Sequence, residues 1–262
     1  ANVGNISIRL NDIEFLFSPT MVSKGYMMPE DIWKVDYEGK QIAGIRKRSS
    51  EILLHLSVYK NRADVNGVVH CHPPHATAFA VAHEPIPKAI LPEVEVFLGE
   101  VPTAIYVTPG GQKFADSIIP YVKDCNTILL ANHGTITFGP DLEKAYFNTE
   151  IIDAYCRILI LSRQLGRVNY FTEKETSELL ELKKKLGYDD VRFNNSNCDL
   201  RGENCFNEGY TKFHPEHVAF PVAEQDAWIN AKSAPANNNL DIDALVKKIT
   251  DQVMAALKGS HA

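Results

Sequence analysis

Apolar residues recur along this chain with two different periods. Near the start Ile6, Ile8 and Leu10 alternate with polar neighbours, Asn11 and Asp12 make a turn, and residues 13–17 return as a hairpin partner. A short helical turn is expected over 29–32, followed by two strands, 33–37 and 41–43, flanking a turn at Glu38 and Gly39. The spacing then changes. Glu51 opens a segment in which Ile52, Leu53, Leu56 and Tyr59 fall at near-helical intervals, which predicts an amphipathic helix. Residues 67–72 form an apolar run broken by Pro73 and Pro74, and 75–82 have the composition of a helix that starts at the prolines. The apolar stretch 90–98 is interrupted by Glu93 and Glu95, which share a face if it is extended. A short strand is expected at 105–107, a helix around 114–122, a buried strand at 126–131 and another at 135–138. Two long helices follow, 142–165 and 173–186, closed by Gly166 and Gly187, and the second is opened by a Thr172-x-x-Glu175 capping box.

Beyond Tyr188 the pattern fades. Residues 194–209 are polar and irregular, and 223–239 are rich in Ala, Asn, Ser and Pro, the composition of a flexible linker. Periodicity returns at the end, where Ile242, Leu245, Val246, Ile249, Val253 and Leu257 make one apolar stripe. The expected organisation is a main domain with an irregular extension over 1–222, a linker over 223–239 and an amphipathic helix over 240–258.

At 45% hydrophobic and 23% charged residues the chain can build a sizeable core, and its net charge of −6 gives no general attraction for nucleic acid or an anionic membrane. No apolar run approaches the length of a membrane span, and no signal peptide opens the sequence. The first residue is Ala rather than Met, so some N-terminal residues are expected to be missing from this numbering. The five cysteines are odd in number and mostly embedded in predicted elements, which fits a reducing cytoplasm. Cys198 and Cys205 lie in a polar stretch with His214 and His217 nearby, which reads either as free thiols or as a second metal site.

The chemistry concentrates in residues 67–75, GVVHCHPPH. Alternate side chains of a strand share a face, so His70 and His72 point one way, while Val69 and Cys71 point the other. Two imidazoles on a rigid strand can grip one metal ion, or they can be satisfied core histidines. His133 sits at a strand tip beside Gly134, where close backbone approach is allowed. Ser49 and Ser50 precede the helix that Glu51 opens, with Arg46 and Arg48 nearby. This reads as a helix N-cap or as an anion site, because free N–H groups and the helix dipole both favour an anion there.

Glu51, His70, His72 and His133 together have the composition of a zinc shell. His70 follows Glu51 at a spacing of 19, and His133 follows His72 at a spacing of 61. With Gly4-Asn5-Ile-Ser7, Ser18-Pro-Thr20, Ser49-Ser50-Glu51, His70-Cys-His72 and Ala131-Asn-His-Gly134, residues 4–165 resemble the class II aldolase/adducin superfamily. That resemblance implies an α/β fold, a three-layer α/β/α sandwich around a central mixed, mainly antiparallel sheet. It also implies a fourfold homotetramer with sites between neighbouring subunits. His70, His72 and His133 would bind one Zn2+ per subunit, with Glu51 completing the shell and then acting as acid and base. Gly4, Asn5, Thr20, Ser49 and Ser50 would hold a substrate phosphate. The implied reaction is reversible cleavage of a phosphorylated ketose, such as L-fuculose 1-phosphate, into dihydroxyacetone phosphate and an aldehyde such as lactaldehyde. Sister epimerases and decarboxylases, and a non-catalytic adducin-like module, are the alternatives. Met21 stands where the family carries Gly, and Leu91 where its aldolases carry a tyrosine proton donor, so Glu93 or Glu95 is the candidate substitute. The helix at 240–258 resembles the encapsulation peptides that dock enzymes onto bacterial microcompartment shells. It could equally pack on its own subunit or form a coiled coil. The expected location is the cytoplasm or a microcompartment within it.

Overall fold

A computed structural model of the chain describes residues 3–19, 21–46 and 49–194. Thr20, Arg48, Cys198, Cys205, and the linker and C-terminal helix expected over 223–239 and 240–258 lie outside the described residues.

The strands in chain order are β1 (Asn5–Arg9), β2 (Glu14–Phe17), β3 (Trp33–Asp36), β4 (Gln41–Ala43), β5 (Gly67–Cys71), β6 (Thr103–Ala104), β7 (Thr127–Leu130) and β8 (Gly134–Gly139). They form one sheet in the order β4-β3-β2-β1-β5-β8-β7-β6, antiparallel throughout except for the β6–β7 pair. This is the mixed, mainly antiparallel sheet expected. The helices are α1 (Ile52–Asn61), α2 (Pro74–Ala82), α3 (Gln112–Asp116), α4 (Ile119–Val122), α5 (Leu142–Gln164) and α6 (Glu173–Lys185). Both sheet faces are buried. Ile128 and Leu130 enter one core with Leu54, Leu56, Phe114 and Ile118, whereas Leu129 between them enters a second core with Phe79, Ile152, Tyr155 and Leu159. Thus α1, α3 and α4 cover one face and α2 and α5 the other, which makes three layers.

Several local expectations change. The strand expected at 105–107 is instead the two-residue β6, and Ile105 and Tyr106 are exposed. Its partner β7 ends at Leu130, opposite Ala104, so nothing remains for Ile105 to pair with. The helix expected around 114–122 is broken into α3 and α4, because Pro120 has no N–H to carry one helix across the gap. Residues 94–98 are a π-helical turn, closed by Gly99 N–H to Val94 O at 2.7 Å, so Glu93 and Glu95 do not share a strand face. The α1 helix is buried nearly all round rather than amphipathic, since α3 and α4 cover the side turned from the sheet.

Candidate metal centre

Three elements bring the histidines together. In β5, His70 lies opposite Asn5 of β1 and Ile136 of β8, on the face that α1 covers. Its Nδ1–H donates to the Thr135 carbonyl at 2.8 Å, which leaves the Nε2 lone pair facing the site. His72 follows the last strand residue, and its Nε2 is 3.4 Å from that of His70. His133 comes from the turn between β7 and β8. Asn132 takes a left-handed φ of 55° there, its N–H bonds Ala80 O, and its Oδ1 meets His83 Nε2 at 2.6 Å. Gly134 is required beside it, because a Cβ would sit 2.5 Å from Cys71 O and 2.6 Å from His72 Cδ2. His75, the remaining histidine of this stretch, turns away. Its N–H and ring bond Asp153 of α5, whose carboxylate also takes Ala76 N–H at the start of α2.

The three rings are mutually edge-on with centroids 4.8–5.1 Å apart. Glu51, the residue before α1, puts Oε2 3.5 Å from His70 Nε2 and Oε1 3.4 Å from His133 Nε2. A tetrahedral zinc site with bonds of about 2.0–2.1 Å has ligand atoms about 3.3–3.4 Å apart. The His70–His72, His70–Glu51 and His133–Glu51 spacings fit that cage, and the ligand atoms of the three histidines all lie within 4.8 Å of one another. A lone pair of His70 facing a carboxylate oxygen is repulsive by itself, and a cation between them reverses the sign. Burial pushes the His70 imidazolium down to about 4, outweighing the opposite pull of Glu51, and pushes His72 and His133 down as well. Neutral imidazoles are what metal ligation needs. His70, His72 and His133 can therefore hold a metal ion.

Of the candidate phosphate residues that the structure describes, Asn5 and Ser49 bond Glu51. Gly4 has φ +80°, and a Cβ there would lie 2.6 Å from His70 O, so the chain start is pressed against the metal strand. Asn5 donates Nδ2–H to Glu51 Oε2 at 2.6 Å. Ser49 is buried and its Oγ accepts Glu51 N–H at 3.2 Å, while Ser50 is exposed. No side chain caps α1, so the Ser-Ser pair is not its N-cap. Arg46 is ion-paired to Asp31 at 2.8 Å. Met21 adopts φ 56°, the left-handed backbone that a glycine takes without strain. Leu91 packs against the α2–α5 core. Glu95 is 1% exposed and committed elsewhere, accepting Ala89 N–H at 2.6 Å and pairing with Arg192 at 2.9 Å. It is thus a structural anion rather than the proton donor considered above. Behind Glu51 lie Ser7, His55 and Tyr59, all buried; the sequence shows Ser7 only within a motif and Tyr59 only within an apolar spacing, and does not single out His55. Their signal was two alternate polar residues on a strand, with polar groups every fourth residue on an apolar helix.

The model of the class II aldolase and adducin N-terminal domain matches residues 1–160. The chain belongs to the class II aldolase and adducin family. Among its relatives, this class II aldolase family member is 31% identical over 163 residues to the L-fuculose phosphate aldolase of Methanococcus maripaludis, covering 62% of this chain and 87% of that one. It is 30% identical over 184 residues to the 3-oxo-tetronate 4-phosphate decarboxylase of Escherichia coli K12, covering 68% and 85%. Among solved structures, YgbL from Escherichia coli superposes with a TM-score of 0.63 at 30% identity, covering 68% of this chain and 87% of that one. An L-fuculose 1-phosphate aldolase gives 0.65 at 25% identity, covering 71% and 87%. Among the described residues no helix is long and apolar enough to cross a membrane.

Proposed function

We propose that this chain is a zinc-dependent carbon–carbon lyase acting on a phosphorylated ketose. Its products would be dihydroxyacetone phosphate and an aldehyde such as lactaldehyde, with L-fuculose 1-phosphate the first substrate to test. The observation that carries the reading is the convergence of His70, His72, His133 and Glu51 at 3.4–3.5 Å spacings. Three imidazoles and a carboxylate suit zinc, one ion per subunit. When bound, zinc supplies a Lewis acid for the negative charge left as the carbon–carbon bond opens.

The chain's own groups do the rest. His70, His72 and His133 hold the metal in neutral form. Glu51, beside it, accepts the proton of the reacting hydroxyl and returns it in the reverse direction. Gly4, Asn5, Thr20, Ser49 and Ser50 hold the phosphate, supported by the uncapped N-terminus of the ten-residue α1. The protein works as a homotetramer. Its segment 240–258 docks on a microcompartment shell, a role supported by its single apolar stripe behind a linker. Deleting everything after Ala223 is expected to leave turnover intact and to abolish co-purification with shells. Lost turnover would assign that segment to the catalytic domain instead.

A sister decarboxylase is the second reading. The decarboxylase relative matches a longer share of this chain than the aldolase does, and Leu91 replaces the tyrosine donor expected of an aldolase. Loss of carbon dioxide from a 3-oxo acid leaves an electron pair next to a carbonyl, as aldol cleavage does, so one site serves either reaction. Product analysis separates them. Short phosphorylated ketoses and 3-oxo acids are offered to the zinc-loaded full-length protein. Triose phosphate with an aldehyde supports the first reading, and triose phosphate with carbon dioxide the second. A rearranged sugar would overturn both.

A further inference from the structure

Behind Glu51 runs a chain of hydrogen bonds whose direction can be worked out from one end. The Glu51 carboxylate only accepts, so Asn5 presents its NH2 to Oε2 at 2.6 Å. The Asn5 Oδ1 then faces His55 Nε2 at 2.5 Å, and Nε2 must carry the proton. A neutral imidazole has one N–H, so Nδ1 accepts, and it does so from Ser7 Oγ at 2.7 Å. With its proton so placed, Ser7 Oγ accepts from the Tyr59 hydroxyl at 2.8 Å. Every donor thus points towards the metal centre.

Secondary-structure periods make this alignment. Asn5 and Ser7 are alternate residues of β1, lying opposite His70 and Val68. Glu51, His55 and Tyr59 are four residues apart, running from the residue before α1 into the helix that covers the same face. His55 is fully buried, with the Phe17 ring 5.3 Å away, and burial holds its imidazolium well below the usual histidine range. In such a dry setting each bond polarises the next.

We infer that His55 is a positioning residue for the metal centre, fixing the Asn5 amide with its NH2 towards Glu51, while Ser7 and Tyr59 fix the tautomer of His55. An asparagine amide is nearly symmetric in shape. Without a donor at Nε2 it turns over as readily as not, and Oδ1 then faces the carboxylate, acceptor against acceptor. Glu51 loses the contact that aims it at His70 and His133. The inference deepens the metal reading above and rests on it only for its consequence, since the hydrogen-bond direction is a property of the chain itself.

The two are tested separately. In the full-length protein with 15N-labelled histidine, the ring shifts are expected to show His55 neutral with its proton on Nε2 from pH 6 to pH 8. A proton on Nδ1, or a charged ring, overturns the inference whatever the metal does. Zinc affinity is then measured by chelator competition. His55→Leu is expected to weaken it about tenfold or more, the usual effect of losing a group that orients a ligand. His55→Gln, which can again offer an N–H to Asn5, is expected to recover most of that loss. Wild-type affinity in His55→Leu, or no recovery in His55→Gln, overturns the inference. So does a fall in thermal stability without a change in zinc affinity, the mark of a purely structural residue. Failure of the wild-type chain to bind zinc would sink the proposed function and leave the tautomer result to decide the rest.

Discussion

Replacing Glu51 with Gln is expected to leave zinc bound and to lower kcat by about 10²–10⁴-fold, the range of a positioned general base. The shape is conserved and the three imidazoles are untouched, so zinc is kept, although bound less tightly without the carboxylate's charge. Gln can still accept from Asn5 through its carbonyl oxygen, which preserves the local packing. It cannot take up the hydroxyl proton. Because Gly4, Asn5, Ser49 and Ser50 are unchanged, KM for the sugar phosphate should move much less than kcat, the signature of an interaction made in the transition state. Metal content by elemental analysis and steady-state rates on one preparation decide the matter. Full turnover with full zinc would place the base elsewhere. Full loss of zinc would make Glu51 mainly a ligand.

Much of this site was legible because period-two spacing is unambiguous in a strand. His70 and His72 share a face by necessity, and Gly134 after His133 announces a close approach that only a bare backbone allows. The central sheet was legible for the same reason, since β1, β2, β5, β7 and β8 all alternate or run apolar over four residues or more. What failed were short apolar runs. Residues 90–98 and 105–107 carry no period long enough to separate helix, strand and loop, and only their partners decide. Glu95 reads as a reactive carboxylate until Arg192, far along the sequence, is found against it. The strand–helix match that aligns Asn5, Ser7, His55 and Tyr59 was equally invisible. Each residue is ordinary in its own element, and the relay exists only once β1 and α1 are stacked.

Arg192→Met should be among the most destabilising single changes in the domain, by about 3–5 kcal/mol, with Tm falling on the order of 10 °C. Arg192 bonds both oxygens of Asp190 at 2.8 Å and Glu95 at 2.9 Å, and Lys183 holds Asp190 from the other side at 2.8 Å. The side chains of all four are at most 6% exposed. Removing the cation leaves Glu95 and Asp190 with charge that neither water nor a full set of partners compensates. The pH dependence gives a second signature. Burial raises the Asp190 carboxyl, but the hydrogen bonds and charges of Arg192 and Lys183 outweigh it and hold the group far below the usual range. A depressed carboxylate contributes stability that is fully present above the unfolded value of about 3.9 and is lost as pH falls through the lower folded value. Without Arg192 the folded value rises, so Asp190 protonates sooner and its uncompensated charge disappears. The gap between wild type and variant should therefore be wide at pH 7, already smaller at about pH 4, and should go on closing as pH falls towards the depressed folded value of the wild type. Denaturation curves at both pH values measure it, and a variant within about 0.5 kcal/mol of wild type at pH 7 would mean the cluster is solvated after all. Lys174→Ala makes the contrast, since Lys174 and Glu178 are 3.9 Å apart but 87% and 64% exposed. Its loss should stay within about 0.5 kcal/mol at any pH, because in water a neighbouring charge is replaced by solvent, and in this interior it is not.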